Sequence, residues 1–162
     1  MILRDATRAD WPAILALNGE SVHFLSPLDI HRLGELAAAA FYLRVAQGEG
    51  GAVAGVLLGF GKGAAYDSPN YRWFEARYDA FAYVDRVVVA PAFRGQRVAD
   101  RLYDDFETFA RARGLTAMVC EVNVAPPNPA SLAFHTRRGF VEVARQPYGE
   151  GKTVAMLARA LT

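Results

Sequence analysis

Apolar positions along this chain recur with two different periods, and the switches between them mark out its elements. Residues 2–4 form a short strand candidate. Asp10 followed by Trp11-Pro12 reads as a capped helix start, with proline tolerated in the first turn, and that helix is expected to reach about Asn18. Ser26-Pro27-Leu28-Asp29 is a second start, close to a capping box, and leads into Ile30, Leu33, Leu36 and Ala37 on one helical face. Two runs of β-formers, 41–46 and 52–60, flank Gly48-Glu49-Gly50-Gly51 and are expected to pair as a hairpin. Residues 61–79 are glycine-rich, then offer Ser68-Pro69 as a cap and Tyr71, Trp73, Phe74 and Tyr78 at near-helical spacing. Those aromatics either close the core or form a lid over a pocket.

The second half is more regular. Residues 81–89 read as a long strand with an almost wholly apolar end. Val98, Leu102, Phe106, Phe109 and Ala110 make the stripe of a helix that stops at Gly114. Residues 116–122 are a strand, and Asn128-Pro129 caps a helix over 129–138 that Gly139 ends. Residues 140–145 and 152–158 form a last hairpin around Pro147 and Gly149. The strand–helix–strand unit over 81–122 requires a right-handed crossover and a parallel pair, whereas the hairpins are antiparallel. The order β, α, α, β, β, short α, β, α, β, α, β, β predicts one α+β domain over 1–162, with a mixed sheet and helices on both faces.

Composition narrows the function. At 162 residues, 52% of them hydrophobic, the chain suffices for one sizeable core. A formal net charge of +1 gives no general attraction to nucleic acid or anionic membrane, so an anion site must be local. The single Cys120 excludes an internal disulfide and fits a reducing compartment. With neither a signal-peptide pattern nor a spanning apolar run, a cytoplasmic protein is expected.

One stretch points to chemistry. Val87-Val88-Val89-Ala90-Pro91 ends a buried strand, and Arg94-Gly95-Gln96-Arg97 then opens a helix. Cations are mildly unfavourable at a helix N-terminus, whereas the free N–H groups of a first turn suit a pyrophosphate, to which Arg94 and Arg97 add charge-assisted bonds. By itself the segment is equally a strand–helix connection with surface arginines. Further along, Asn128, Ser131, Phe134 and His135 share one side of a short helix that follows a strand ending in Glu121-Val122-Asn123.

Together these segments resemble the GNAT superfamily of acyl-CoA-dependent N-acyltransferases. Val89 to Ala99 is similar to the family's V-x-P-x-x-R-G-x-G-x-G/A signature, and Asn128 to Phe140 to its N-x-x-[SA]-x-x-F-Y-x-x-x-G-F signature. The resemblance implies a largely antiparallel sheet of about seven strands with a central parallel pair that splays apart. It implies acetyl-CoA as co-substrate, no metal, and an amine acceptor. It places the pantetheine arm along Val87 and Val89, an activating N–H near Val88, and the pyrophosphate on the amides of Gln96, Arg97, Val98 and Ala99, beside Arg94 and Gly95, with Asn128, Ser131 and Phe134 completing the cofactor side. Two departures stand out. Arg97 occupies a glycine position, acceptable if it lies in the first helical turn, and His135 stands where the family has the tyrosine assigned as acid.

For the base, Asp85 and Glu121 are the carboxylates on the splayed strands. Glu121 can equally pair with an arginine, Asp85 beside Arg86 can equally be a sheet-edge charge, and a water chain can replace both. The acceptor wall implied by the family's layout comprises Phe24, Tyr71, Trp73, Phe74, Tyr78 and Tyr83, which suits an apolar or aromatic amine or a lysine stem. His23 and His31 read as surface or packing residues and Cys120 as a small buried hydrophobe. No cluster has metal-ligand spacing. A homodimer is compatible with the sequence. The competing functions are a non-catalytic acyl-CoA-binding module and a nucleotide-binding regulator.

Overall fold

The computed structural model describes residues 1–21 and 25–161. The order of elements is the expected one: β1 (Ile2–Asp5), α1 (Trp11–Glu20), α2 (Ile30–Ala39), β2 (Tyr42–Gln47), β3 (Val53–Phe60), α3 (Pro69–Glu75), β4 (Phe81–Val89), α4 (Val98–Ala112), β5 (Ala117–Ala125), α5 (Pro129–Arg137), β6 (Val141–Pro147) and β7 (Thr153–Ala160). The seven strands form one mixed sheet in the order β1-β2-β3-β4-β5-β7-β6. Only β4 and β5 run parallel; the other neighbours are antiparallel. The last hairpin inserts backwards: β7 returns beside β5 and leaves β6 at the edge.

Helices cover both faces. Ile14, Leu17, Leu33, Leu36, Tyr71 and Phe74 from α1, α2 and α3 pack on Val45, Val56, Leu58, Phe81, Tyr83 and Val119. On the opposite face Val98, Leu102, Tyr103, Phe106 and Ala110 of α4 pack on Ala46, Leu57, Ala82, Val84 and Met118. Helix α4 lies close because β3 carries glycine where the helix crosses. A Cβ at Gly55 would come within 2.8 Å of Val98 and one at Gly59 within 2.5 Å of Phe106. That contact fixes the height of the α4 N-terminus above the sheet.

Two helix starts differ from expectation. Asp10 is not the side-chain cap of α1. It closes a short 3₁₀ turn that runs into the helix, and its carboxylate accepts from the Thr7 N–H at 2.7 Å and from both terminal nitrogens of Arg4 at 2.8 Å. Helix α2 is capped by Asp29, which accepts from the Arg32 N–H at 2.8 Å. Ser26 is thereby left outside the helix, where a residue of β4 takes hold of it. Gly114 at φ +73 ends α4, with its N–H on Arg111 O and the Leu115 N–H on Ala110 O.

Candidate active site

The sheet opens at its centre. Strands β4 and β5 pair only where Phe81, Ala82 and Tyr83 face Ala117, Met118 and Val119, yet β4 continues to Val89 and β5 to Ala125. Against β3, Arg86 faces Leu58 and Val84 faces Gly59, so Asp85 is an extra residue in the ladder. Such a bulge bends its strand. It also breaks the alternation of side chains, so that Tyr83, Asp85, Arg86 and Val88 all point to the α1–α3 face. The backbone follows the same geometry. The Ala90 N–H donates to Ala54 O, and antiparallel bonding alternates, so Val88 and Arg86 bond to β3 while Val87 and Val89 turn their N–H and C=O groups toward the gap. The activating N–H expected near Val88 is therefore not Val88's own, which is committed to β3 and whose side chain is buried in the core; the gap-facing N–H groups are those of Val87 and Val89.

A cavity of about 200 Å³ passes through the gap and is walled from both faces. Ser21, Leu25, Ser26, Tyr66, Ser68, Asn70 and Tyr148 line the α1–α3 side; Tyr103, Asn128, Ser131 and His135 line the other; and Asp85, Val87, Glu121 and Asn123 stand at the crossing.

On the first side the two carboxylates have different fates. Asp85 is held by the Arg86 Nε at 2.6 Å and by the Tyr66 hydroxyl, and both members of the ion pair are nearly inaccessible. The rest of the Arg86 guanidinium reaches Asn18 Oδ1 at 2.8 Å, Ser26 O at 3.3 Å and Ser26 Oγ at 3.2 Å. Asp85 is thus neither a free base nor a sheet-edge charge, but half of a buried pair that ties the loop after α1 and the loop before α3 to the central strand. Half-buried Glu121 pairs with no cation among the described residues. Its two oxygens accept from the Tyr83 hydroxyl at 2.7 and 2.8 Å. Burial pushes its carboxyl up to about 8, with the Tyr83 hydroxyl opposing and the negative charge of Asp85 adding to the rise.

The second side is built from main chain. Gly95 at φ +78 and Arg97 at φ +60 turn the loop, and α4 begins at Val98 with no side chain capping it. The N–H groups of Val98, Ala99 and Asp100 consequently have no helical acceptor. Arg97 is not in the first helical turn, as expected, but in the left-handed residue before it, a conformation that explains a glycine preference there. Arg94, Gly95, Gln96 and Arg97 are all exposed. Asn128 caps α5 through the Ser131 N–H. His135 departs from expectation. It is only 4% exposed, its Nδ1 is 2.7 Å from Ser131 O and its Nε2 is 2.7 Å from the Tyr103 hydroxyl. Burial lowers its pKa, outweighing the Ser131 carbonyl. A neutral imidazole with both nitrogens engaged is not a poised acid.

The expected acceptor wall is also corrected. Tyr71, Phe74 and Tyr83 are fully buried because α3 lays the first two on the sheet, where they cover Tyr83 of β4. Trp73 stacks under Arg77 and Tyr78 packs on Phe74, both away from the cavity. Phe134 packs edge-on against Tyr103, 5.0 Å between ring centres, rather than on the cavity. Phe24 and His23 lie outside the described residues. The actual wall is polar, and Tyr66, Asn70, Tyr103 and Tyr148 were missed by sequence reasoning. Of these only Tyr103 had a usable signal, three residues before Phe106 and beside Leu102 on the α4 stripe. Among the described residues no His, Cys, Asp or Glu group is placed to hold a metal, and no helix is long and apolar enough to cross a membrane.

Comparison with known proteins agrees with this geometry. Residues 11–140 match the model of the acetyltransferase (GNAT) family. No curated protein matches the chain. Among solved structures, Ard1 from Thermoplasma volcanium superposes with a TM-score of 0.80 at 19% identity, covering 99% of this chain and 97% of that one. A GNAT superfamily phosphinothricin acetyltransferase from Sinorhizobium meliloti, in complex with acetyl-CoA, gives 0.71 at 21% identity over 99% and 88% of the two chains. The protein yncA from Salmonella typhimurium, with its cofactor acetyl-CoA, gives 0.71 at 22% over 100% and 94%.

Proposed function

This chain belongs to the acetyltransferase (GNAT) family, and from that premise we propose that it moves the acetyl group of acetyl-CoA to the primary amine of a small or peptide-like acceptor by direct attack. The observation that carries the reading is the cavity through the splayed sheet, with Glu121 at its crossing and its carboxyl raised to about 8. The gap-facing backbone of Val87 and Val89 suits the amides of a pantetheine arm, and the free N–H groups at the start of α4 suit the pyrophosphate. Solved neighbours that hold acetyl-CoA support acetyl-CoA as the ligand.

An alkylammonium has a pKa of ~10.4 and an ordinary glutamate ~4.3. Raising the acceptor group to about 8 narrows that mismatch by more than half. Glu121 takes the first proton from the bound ammonium, the freed amine nitrogen bonds to the thioester carbon, and the second proton that the nitrogen then sheds passes to bulk water. The Val87 N–H faces the carbonyl oxygen, and such donors contribute roughly 2.7–4 kcal/mol in comparable sites. The C–S bond then breaks with its electron pair on sulfur. The polar acceptor wall of Ser21, Ser26, Tyr66, Asn70 and Tyr148 favours an acceptor bearing hydroxyl, amide or carboxylate groups over a purely apolar one.

The test is release of free thiol from acetyl-CoA across a panel of amino acids, peptide N-termini and polyamines. Acetyl-CoA is also expected to raise the melting temperature, since a ligand of the folded state stabilises it, and Ala99→Glu is expected to remove that shift. A panel with no thiol release, or a shift unchanged in Ala99→Glu, counts against the reading.

A further inference from the structure

We propose that the Tyr103 hydroxyl is the group that meets the departing sulfur, and that His135 acts through it by holding that hydroxyl in place. The inference rests on the acetyl-CoA reading above and adds a catalytic residue from α4. His135 occupies the position from which an acid would be expected to reach the thiol, yet its hydrogen bonds define another role. The Nδ1 nitrogen faces a carbonyl, Ser131 O at 2.7 Å, and so must carry the ring proton. Nε2 is then a lone pair, and the hydroxyl 2.7 Å away can only be donating to it. The pair thus sets a phenol oxygen beyond the tip of the imidazole, and Tyr103 lines the cavity together with Cys120, Asn128, Ser131 and His135.

The surroundings keep both groups in these forms. Burial raises the Tyr103 pKa well above its ordinary value, Cys120 and Glu121 adding to the rise and Arg138 opposing it. Burial lowers His135, and the Arg138 guanidinium, 5.5 Å above the Tyr103 ring, lowers it further. Tyr103 therefore stays a hydroxyl and His135 stays an acceptor. As the C–S bond breaks, sulfur gains a full negative charge and becomes a stronger acceptor than a neutral imidazole. Rotation about the C–O bond turns the Tyr103 hydroxyl from Nε2 to sulfur. No proton is transferred in this step. The first of the amine's protons rests on Glu121 and the second has passed to water, and the thiolate, with a pKa near the ~8.5 of an ordinary thiol, leaves as an anion stabilised by a hydrogen bond.

The thiol of bound CoA reports this contact without any acceptor. Titrating thiolate absorbance in the CoA complex should give a pKa about one unit below that of free CoA. Tyr103→Phe should bring the value back to that of free CoA with little loss of CoA affinity. His135→Phe, which keeps the hydroxyl but frees it, should give an intermediate value. A merely structural role for the pair would lower the melting temperature and leave the thiol pKa where it was. If wild-type protein binds CoA and its thiol titrates as in free solution, the proposal fails while the acetyl-CoA reading stands, and this holds even if the Tyr103 variant does not fold. Failure of wild-type protein to bind CoA overturns both.

Discussion

The two sides of the splayed gap are made of different materials. On the α4–α5 side the working groups are main-chain: free N–H groups at Val98, Ala99 and Asp100, gap-facing amides at Val87 and Val89, and neutral side chains at Tyr103 and His135. On the α1–α3 side they are buried charges: Asp85 with Arg86, and Glu121 without a cation among the described residues. Main chain binds an anion without titrating, so that side can hold a ligand at any moderate pH. Buried side chains titrate, so the other side can move protons and must be held together while doing so. Within the second side a further contrast decides the roles. A carboxylate given a guanidinium is held as structure, whereas Glu121, held by the Tyr83 phenol and the Asn70 amide without a cation among the described residues, keeps a raised pKa, which is what the proposed base requires.

The sharpest way to break this contrast is Glu121→Gln. Turnover at neutral pH is expected to fall by ~10²–10⁴, the usual range for a general base. The loss should shrink at high pH, where the amine arrives deprotonated. In the wild-type protein kcat/KM should rise with pH through about 8, and the variant should lack that step. A loss of equal size at every pH would place Glu121 among the structural groups.

Asp85→Asn tests the other half of the contrast. It leaves the Arg86 charge in a nearly inaccessible site, and removal of one member of a buried pair typically costs about 3–5 kcal/mol of stability. Denaturant unfolding should show that loss. The double variant Asp85→Asn/Arg86→Met should recover part of it, since the orphaned charge is gone. Whatever folds should keep the pH-dependent rise in activity. A stable Asp85→Asn protein that has lost this rise would exchange the roles assigned to the two carboxylates.

A third expectation concerns stability alone. The Glu121 carboxyl titrates near 8 when folded and near its model value of 4.5 when unfolded. Between those values the folded state binds the extra proton, so stability is full below about 4.5 and declines as pH rises to about 8. The slope is at most ~1.4 kcal/mol per pH unit. Comparing melting temperatures of wild type and Glu121→Gln across that window isolates the effect, because other groups cancel. Parallel curves would mean that Glu121 is not shifted.

How much of this could be read from the sequence follows the same division. Main-chain sites demand glycine, proline and asparagine at fixed spacings, so Pro91, Gly95, Asn128 and Gly139 were visible as a pattern, and the resemblance they carry gave the fold class and an expectation for the cofactor side. The acceptor side was not legible. The bulge at Asp85 follows from pairing with β3 and leaves no local mark, and without it Asp85 and Arg86 would point to opposite faces. Aromatics 71–78 gave a correct helix but a wrong wall, because periodicity places a face without saying whether core or cavity lies beneath it. Tyr66 and Tyr148 sit in loops, where there is no period to read. The position of β7 between β5 and β6 is likewise a matter of long-range pairing.

The smallest expected effect lies on the main-chain side, at Arg97. Its φ of +60 is a conformation that L-residues adopt at a cost of roughly 1–2 kcal/mol, and its side chain is exposed, with Nε 3.7 Å from Asp100. Backbone and charge can be separated by two variants. Arg97→Ala removes the charge and keeps the strain. Arg97→Gly removes both, although glycine's freer unfolded chain offsets about 0.4–1 kcal/mol of the relief. Gly is therefore expected to be the more stable of the two by about 1 kcal/mol or less, read from denaturant unfolding. CoA affinity should fall by the same few-fold factor in both, and the difference from wild type should fade as salt screens an exposed charge. If Ala weakens CoA much more than Gly does, the left-handed turn rather than the guanidinium is what the pyrophosphate requires at position 97. Equal affinity in wild type and both variants would leave binding to the helix N–H groups alone, the strongest form of the contrast between a side that binds by main chain and a side that works by charge.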